Sequence, residues 1–163
     1  MVESALKGRV DRLVQLIAER AEQSGRSVAV AESLTGGQLG AALAAAPDSG
    51  TWFRGGITAY HPEVKYTLLK APRGPVVTEP TAVAMAESAA RLLLADIAVA
   101  VTGVGGPDPD EGKPAGTVVL AITGGDRPTN VEHLACSGDP IEVMQQTVEA
   151  ALEAVLGRLP PVS

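Results

Sequence analysis

Aromatic side chains are nearly missing from this sequence: one Trp, two Tyr and one Phe make up 2% of 163 residues. Base stacking needs rings, and a grip on nucleic-acid phosphates needs clustered cations. Here 13 Lys and Arg face 19 Asp and Glu, the net charge is −6, and the basic residues are scattered. Composition therefore argues against a nucleic-acid partner. Cysteine is equally scarce: Cys136 stands alone, which rules out an intrachain disulfide, fits a reducing cytosol and reads as a small residue buried in a strand. With only His61 and His133 besides, no Cys/His pattern has zinc spacing, and no metal is expected. No apolar run approaches the roughly 18 residues of a membrane span. The stretch from Met1 to Gly25 reads as an amphipathic helix with internal charges rather than a signal peptide.

Aliphatic residues are abundant. Hydrophobic residues reach 45%, so the core is built from Ala, Val, Leu and Ile, and the 18 Gly and 12 Pro belong in loops, where sites tend to lie. The length fits one domain over residues 1–163. Val10, Leu13, Val14, Ile17, Ala18 and Ala21 recur at helical spacing and predict a helix over 3–24. Strands are expected at 27–31, 96–102, 117–123 and 129–136, with an extended segment at 51–60. Further helices are expected at 36–46, 62–69, 78–94 (opened by Thr78-Glu79-Pro80) and from Gly138-Asp139-Pro140 to 156. A hairpin through residues 124–128 and a frayed tail from Leu159 complete the reading. Alternating strands and helices imply an α/β sandwich, and the late hairpin makes the sheet mixed.

Several familiar motifs fail on inspection. Gly103-Val104-Gly105-Gly106 follows a strand, but Pro107 and Pro109 forbid the helix of a dinucleotide fingerprint. The stretch from Gly106 to Lys113 has one residue too many between its glycines for a P-loop, and Pro114 stands where Ser or Thr would bind magnesium. Ser4 and Lys7 match Ser-x-x-Lys without its companion motifs, no Gly-x-Ser-x-Gly exists, and His133 reads as a surface residue of an alternating strand.

Three segments remain. Ala31-Glu32-Ser33-Leu34-Thr35-Gly36-Gly37 places Ser33 and Thr35 at a strand end beside a helix N-terminus, where backbone N–H groups can hold an anion. An ordinary cap with a glycine turn reads the same residues equally well. The stretch from Trp52 to Lys65 holds one of only four lysines; unlike Arg, a desolvated Lys can lose its proton, although a solvated helix charge is the plainer reading. The third segment, Thr102 to Thr117, is a Gly/Pro loop that is either a site or a surface connection.

Together these segments resemble the CinA C-terminal domain family, which includes nicotinamide-nucleotide amidases. The resemblance runs through Ala-Glu-Ser-x-Thr-Gly-Gly at 31–37, Tyr60 with Lys65, Thr-Gly-x-x-Gly-Pro at 102–107, Lys113-Pro114-x-Gly116-Thr117 and Ser137-Gly138-Asp139. It implies a three-layer α/β/α sandwich with a mixed, mostly parallel sheet, a cytoplasmic location, self-association and no cofactor. It also implies hydrolysis of nicotinamide mononucleotide to nicotinate mononucleotide and ammonia. Carried onto this chain, Ser33 is the nucleophile, Lys65 its base and Tyr60 an aid to proton transfer. N–H groups near Thr35, Gly36 and Gly37 would hold the oxyanion. Thr102, Gly103, Gly105, Gly106, Lys113 and Thr117 are candidates for binding the nucleotide. Many family members carry a basic residue directly after Ser-Gly-Asp; this chain has Pro140 there, followed by Met144, Gln145 and Gln146. A non-hydrolytic nucleotide- or partner-binding module is the alternative reading.

Overall fold

Val and Ile alternate with Ala along the central strands, and that alternation divides the protein into layers. A computed structural model describes residues 1–163. Its elements are α1 (Val2–Ser24), β1 (Val28–Glu32), α2 (Gln38–Ala44), β2 (Phe53–Thr58), α3 (Pro62–Thr67), α4 (Glu79–Leu92), β3 (Ile97–Gly103), β4 (Thr117–Gly124), β5 (Arg127–Ala135) and α5 (Pro140–Arg158), with a 3-10 turn at Ser49–Thr51. The five strands form one sheet in the order β2-β1-β3-β4-β5. β1 pairs in parallel with both β2 and β3, while β3–β4 and β4–β5 are antiparallel. Only β4 therefore runs against the other strands.

Side chains at alternate strand positions point to opposite faces. One face carries Val28, Val30, Ile97, Val99, Val101, Val118, Leu120 and Ile122, and packs against α1, α2 and α5. The other carries Ala29, Ala31, Ala98, Ala100 and Ala121, and packs against α4 through Ala82, Met85, Ala86 and Ala89. Small residues on both sides of that second interface bring α4 close over β1, β3 and β4. The result is the expected α/β/α sandwich with a mixed sheet.

The expected helix starts are present in detail. Thr78 Oγ1 accepts the Thr81 N–H at 3.2 Å at the head of α4. At α5, Asp139 accepts the Glu142 N–H while Glu142 accepts the Asp139 N–H, both at 2.8 Å, a reciprocal capping box. The hairpin turn is tighter than expected: Gly124 pairs with Arg127, leaving Gly125 and Asp126 at φ 67 and 61, the left-handed pair of a type I′ turn.

Two expectations fail. The tail is anchored at its start: Leu159 is only 3% exposed within the larger core cluster. Just before it, Arg158 donates to the carbonyls of Gly124, Arg127, Ile122 and Pro128, tying the end of α5 to the hairpin. Cys136 lies one residue beyond β5 and is half-buried rather than in the strand. His133 is exposed as expected, 2.6 Å from Glu79.

Because Ala100 is fully buried on the face that packs against α4, Ala100→Val is expected to cost about 1–3 kcal/mol by overpacking. Val99→Ile, aimed at the branched face, should cost less. Denaturant midpoints of the two variants test the order.

Candidate functional site

The sheet order determines where the cavity opens. β1 leads to β2 on one side and β3 leads to β4 on the other, so a crevice forms outside the carboxyl ends of β1 and β3, at the switch point where α/β sheets commonly bind ligands. Ser33 follows β1, and Thr102-Gly103 closes β3. A cavity of about 490 Å³ opens here, with Ser33, Leu34, Lys65, Gly103, Gly105 and Gly106 among its lining residues.

Lys65 is delivered by α3. Pro62 starts this six-residue helix, and His61 Nδ1 caps it by accepting the Glu63 N–H at 3.1 Å. The helix turns Lys65 inward, where it is 3% exposed. Its Nζ donates to Thr102 Oγ1 at 3.0 Å, and Thr102 Oγ1 donates its own proton to the Val76 carbonyl at 2.9 Å. Since that single hydroxyl proton is committed to Val76, Thr102 can only accept from Lys65. The same Val76–Val77 peptide gives its N–H to Glu111 Oε2 at 2.9 Å, and Glu111 Oε1 takes the Val76 N–H at 2.6 Å. One peptide group is thus polarised from both ends, in a chain running from the Glu111 carboxylate to the Lys65 amine.

Burial pushes the Lys65 amine down from 10.5 to about 8, against the opposing pull of the Glu111 and Asp110 charges. Desolvation disfavours the ammonium, so neutral amine is present near physiological pH. Ser33 is 3% exposed, and its hydroxyl donates to the Val101 carbonyl at 3.3 Å. Ser33 and Lys65 line one cavity but are not hydrogen-bonded to each other.

The expected anion site at the N-terminus of α2 is already filled. Glu32, 1% exposed, accepts the N–H groups of Leu39 at 3.1 Å and Gly40 at 2.8 Å, and the Thr35 hydroxyl at 2.5 Å. The protein's own carboxylate takes the place of a ligand there. Thr35 is fully buried, and neither it nor Gly36 nor Gly37 lines the cavity. The Gly36 N–H is held by the Ser33 carbonyl in a turn.

Other expected residues divide the same way. Gly103, Gly105 and Gly106 line the cavity, and Gly105 lies against Leu34. Thr102 sits behind Lys65 as its hydrogen-bond acceptor and has no exposed surface. Tyr60 is at the rim, 72% exposed, and is not the group bonded to Lys65. Lys113 does not reach the cavity; its backbone pairs with Asp110 in the turn of the 103–116 loop. The Thr117 hydroxyl is given to the Pro114 carbonyl at 2.8 Å. That loop is ordered by its own bonds, Val104 N–H to the Thr117 carbonyl and Gly116 N–H to the Val104 carbonyl, both 2.8 Å. Gly116 is required where β5 ends: at φ 92, a Cβ would fall 2.0 Å from the Cys136 carbonyl oxygen. Trp52 and Phe53 belong to the packing under α2 rather than to the site.

Sequence reasoning passed over Glu32, Glu111 and the aspartates Asp108 and Asp110 on the cavity wall. A carboxylate ending an otherwise apolar strand was the available signal for Glu32. The stretch 108–111, acidic in three of its four positions within a Gly/Pro loop, was the signal for the others. Pro140 and Met144, flagged as departures, both line the cavity.

The CinA C-terminal domain family matches residues 10–159. The chain belongs to that family. Among its curated relatives, a CinA-like protein of Parasynechococcus marenigrum is 40% identical over 157 residues, covering 91% of this chain and 37% of the relative. A putative competence-damage inducible protein of Desulforamulus reducens is 36% identical, covering 88% of this chain and 36% of its own length. This chain thus spans about a third of the curated CinA relatives it matches. Among solved structures, a CinA superfamily protein of Enterobacter cloacae superposes with a TM-score of 0.87 at 30% identity, covering 93% of this chain and 92% of that one. The Escherichia coli member has a TM-score of 0.86 at 30% identity, over 90% and 88% of the two chains.

Two outcomes test the lysine's environment. Lys65→Met is expected to raise stability at pH 7, by up to about 3 kcal/mol. The folded protein holds the Lys65 proton less tightly than the unfolded chain. The penalty is therefore full below pH 8 and fades as pH rises through 10.5, so the gain measured by denaturation should fade over the same range. Glu111→Gln removes a charge that favours the ammonium. The pH midpoint for acylation of Lys65, followed by mass spectrometry, should therefore move down.

Proposed function

We propose that the cavity is the active site of a serine/lysine amidohydrolase that converts nicotinamide mononucleotide to nicotinate mononucleotide and ammonia. The observation that carries this reading is the buried Lys65 amine, partly neutral near pH 7, sharing one cavity with the Ser33 hydroxyl. A carboxamide is a poor electrophile and ammonia a poor leaving group, so the reaction needs an activated nucleophile and a proton donor.

Ser33 turns its hydroxyl from the Val101 carbonyl towards Lys65, and neutral Nζ takes the proton as Oγ attacks the carboxamide carbon. Leu34, Gly105 and Gly106 carry N–H groups along the cavity wall that enter no backbone hydrogen bond. They are the donors available to the tetrahedral oxyanion, an effect of about 3 kcal/mol for each well-placed donor. The Lys65 ammonium then protonates the departing nitrogen and ammonia leaves, with nicotinate esterified to Ser33. Neutral Lys65 next deprotonates a water that attacks the ester, releasing carboxylate and restoring the hydroxyl. Thr102 accepts a hydrogen bond from either protonation state of Lys65 and keeps the amine aimed throughout.

Purified protein should release ammonia and nicotinate mononucleotide, with a rate rising through the pH range near 8 as Lys65 becomes neutral. Ser33→Ala should abolish turnover, and Lys65→Ala should lower kcat by at least about 10³-fold. Equal product from wild type and Ser33→Ala would refute the reading. The Ser33–Val101 hydrogen bond favours a second one, a non-hydrolytic binding module, because the hydroxyl is not engaged by the base; ligand binding without product would mark it.

A further inference from the structure

Between α3 and α4 the chain has no regular structure, and neither Val76 nor Val77 enters a backbone–backbone hydrogen bond. Both residues are nonetheless buried. Two side chains serve their polar groups instead. Glu111 takes the Val76 N–H at 2.6 Å and the Val77 N–H at 2.9 Å, and the Val76 carbonyl accepts the Thr102 hydroxyl at 2.9 Å. Glu111 is held in turn by its own loop. Its N–H goes to Asp110 Oδ1 at 2.8 Å, and the backbones of Asp110 and Lys113 exchange two hydrogen bonds.

A trans peptide group is planar, with its carbonyl and N–H pointing in opposite directions. Fixing the Val77 N–H on Glu111 therefore fixes the Val76 carbonyl on Thr102, and an N–H already bonded makes that carbonyl a stronger acceptor. The consequence falls on Lys65. A threonine hydroxyl has one proton to give, and a neutral amine has one lone pair. With the proton on Val76, Thr102 accepts an amine N–H, and the Lys65 lone pair stays free to take the Ser33 proton. With the proton turned to Lys65, the lone pair is occupied and the base is silent.

Resting on the amidase reading of this site, we infer that Glu111 is a positioning residue: its grip on the Val76–Val77 peptide commits the Thr102 proton to Val76 and leaves the Lys65 lone pair free for Ser33. Glu111 does not line the cavity, and neither Lys65 nor Ser33 is bonded to it. Its grip is separable from its charge. The charge favours the ammonium, so losing charge alone leaves more neutral base and speeds the reaction at pH 7. Losing the grip slows the reaction even where Lys65 is wholly neutral.

Two rates test this: turnover of nicotinamide mononucleotide, and sulfonylation of Ser33 by phenylmethanesulfonyl fluoride followed by mass spectrometry. In the second, Ser33 Oγ bonds to sulfur, fluoride leaves, and Lys65 takes the proton. Glu111→Gln offers one acceptor and one NH₂ to two N–H groups. It is expected to lower the limiting alkaline rate of both reactions at least about 10-fold, with KM changed less than about 2-fold. Glu111→Asp keeps the charge on a shorter side chain; it should also lower the limiting rate, with the pH midpoint held near 8, and it carries the test should Glu111→Gln fail to fold. On a Thr102→Val background, which has no hydroxyl proton to direct, Glu111→Gln should change the limiting rate less than about 2-fold. Limiting rates unchanged in both Glu111 variants, a loss confined to KM, or an equal loss with and without the Thr102 hydroxyl would overturn the inference and leave the amidase reading standing. Ser33 that is sulfonylated without amide turnover would refute the amidase reading alone, with the role of Glu111 decided on sulfonylation. Wild-type protein inert in both assays would overturn both.

Discussion

A lysine amine removed from water, with one hydroxyl as its acceptor, is the constraint around which the cavity is organised. Burial favours the neutral amine by withdrawing solvent, and the acids of the 103–116 loop pull the other way. The balance leaves Lys65 near the proton affinity at which a base works best in neutral water. Thr102 fixes the direction of the amine because its only proton already belongs to Val76. The aim of the side chain is thus set by a hydroxyl, its proton affinity by burial and by two carboxylates at a distance.

The layers of the fold make that burial possible. A sheet face of alanines brings α4 close, and the segment between α3 and α4 is drawn in with it; the Ser88 hydroxyl holds the Leu69 carbonyl at 2.6 Å on that path. Val76 and Val77 are buried there, where Thr102 and Glu111 meet them. The opposite face holds its bulk in branched side chains under α1 and α5, away from the chemistry.

Much of the fold was legible because its cues are local. Thr78 and Asp139 cap the helices they announce, Gly125-Asp126 makes the turn such residues favour, and Val/Ala alternation separates the two sheet faces. Ser33 and Lys65 were legible only through resemblance to a family; nothing in their neighbours alone separates a buried Lys65 from a surface one. The roles of Glu32 and Glu111 were not legible. Glu32 reads as a charge ending a strand until Leu39 and Gly40 turn back onto it, and Glu111 acts on residues 34 and 35 positions earlier in the chain. The acceptor at the head of α2 was hidden for the same reason: helix N-termini advertise free donors, and sequence does not say that the preceding strand supplies its own carboxylate to Leu39 and Gly40. Leu159 seemed loose because it follows the last helix, yet the four carbonyls gathered by Arg158 hold that end in place.

The loop over the cavity is also the element that holds the acids acting on Lys65. Its glycines line the wall beside Ser33, while Glu111, further along, grips the Val76–Val77 peptide. Access and protonation are therefore mechanically linked. A movement that lifts the loop withdraws Glu111 and Asp110 from Lys65 and at the same stroke lets water reach the amine. The first change releases a proton from the amine and the second favours its return, so the closed arrangement is the one in which the lysine's charge state is set by the protein rather than by the solvent.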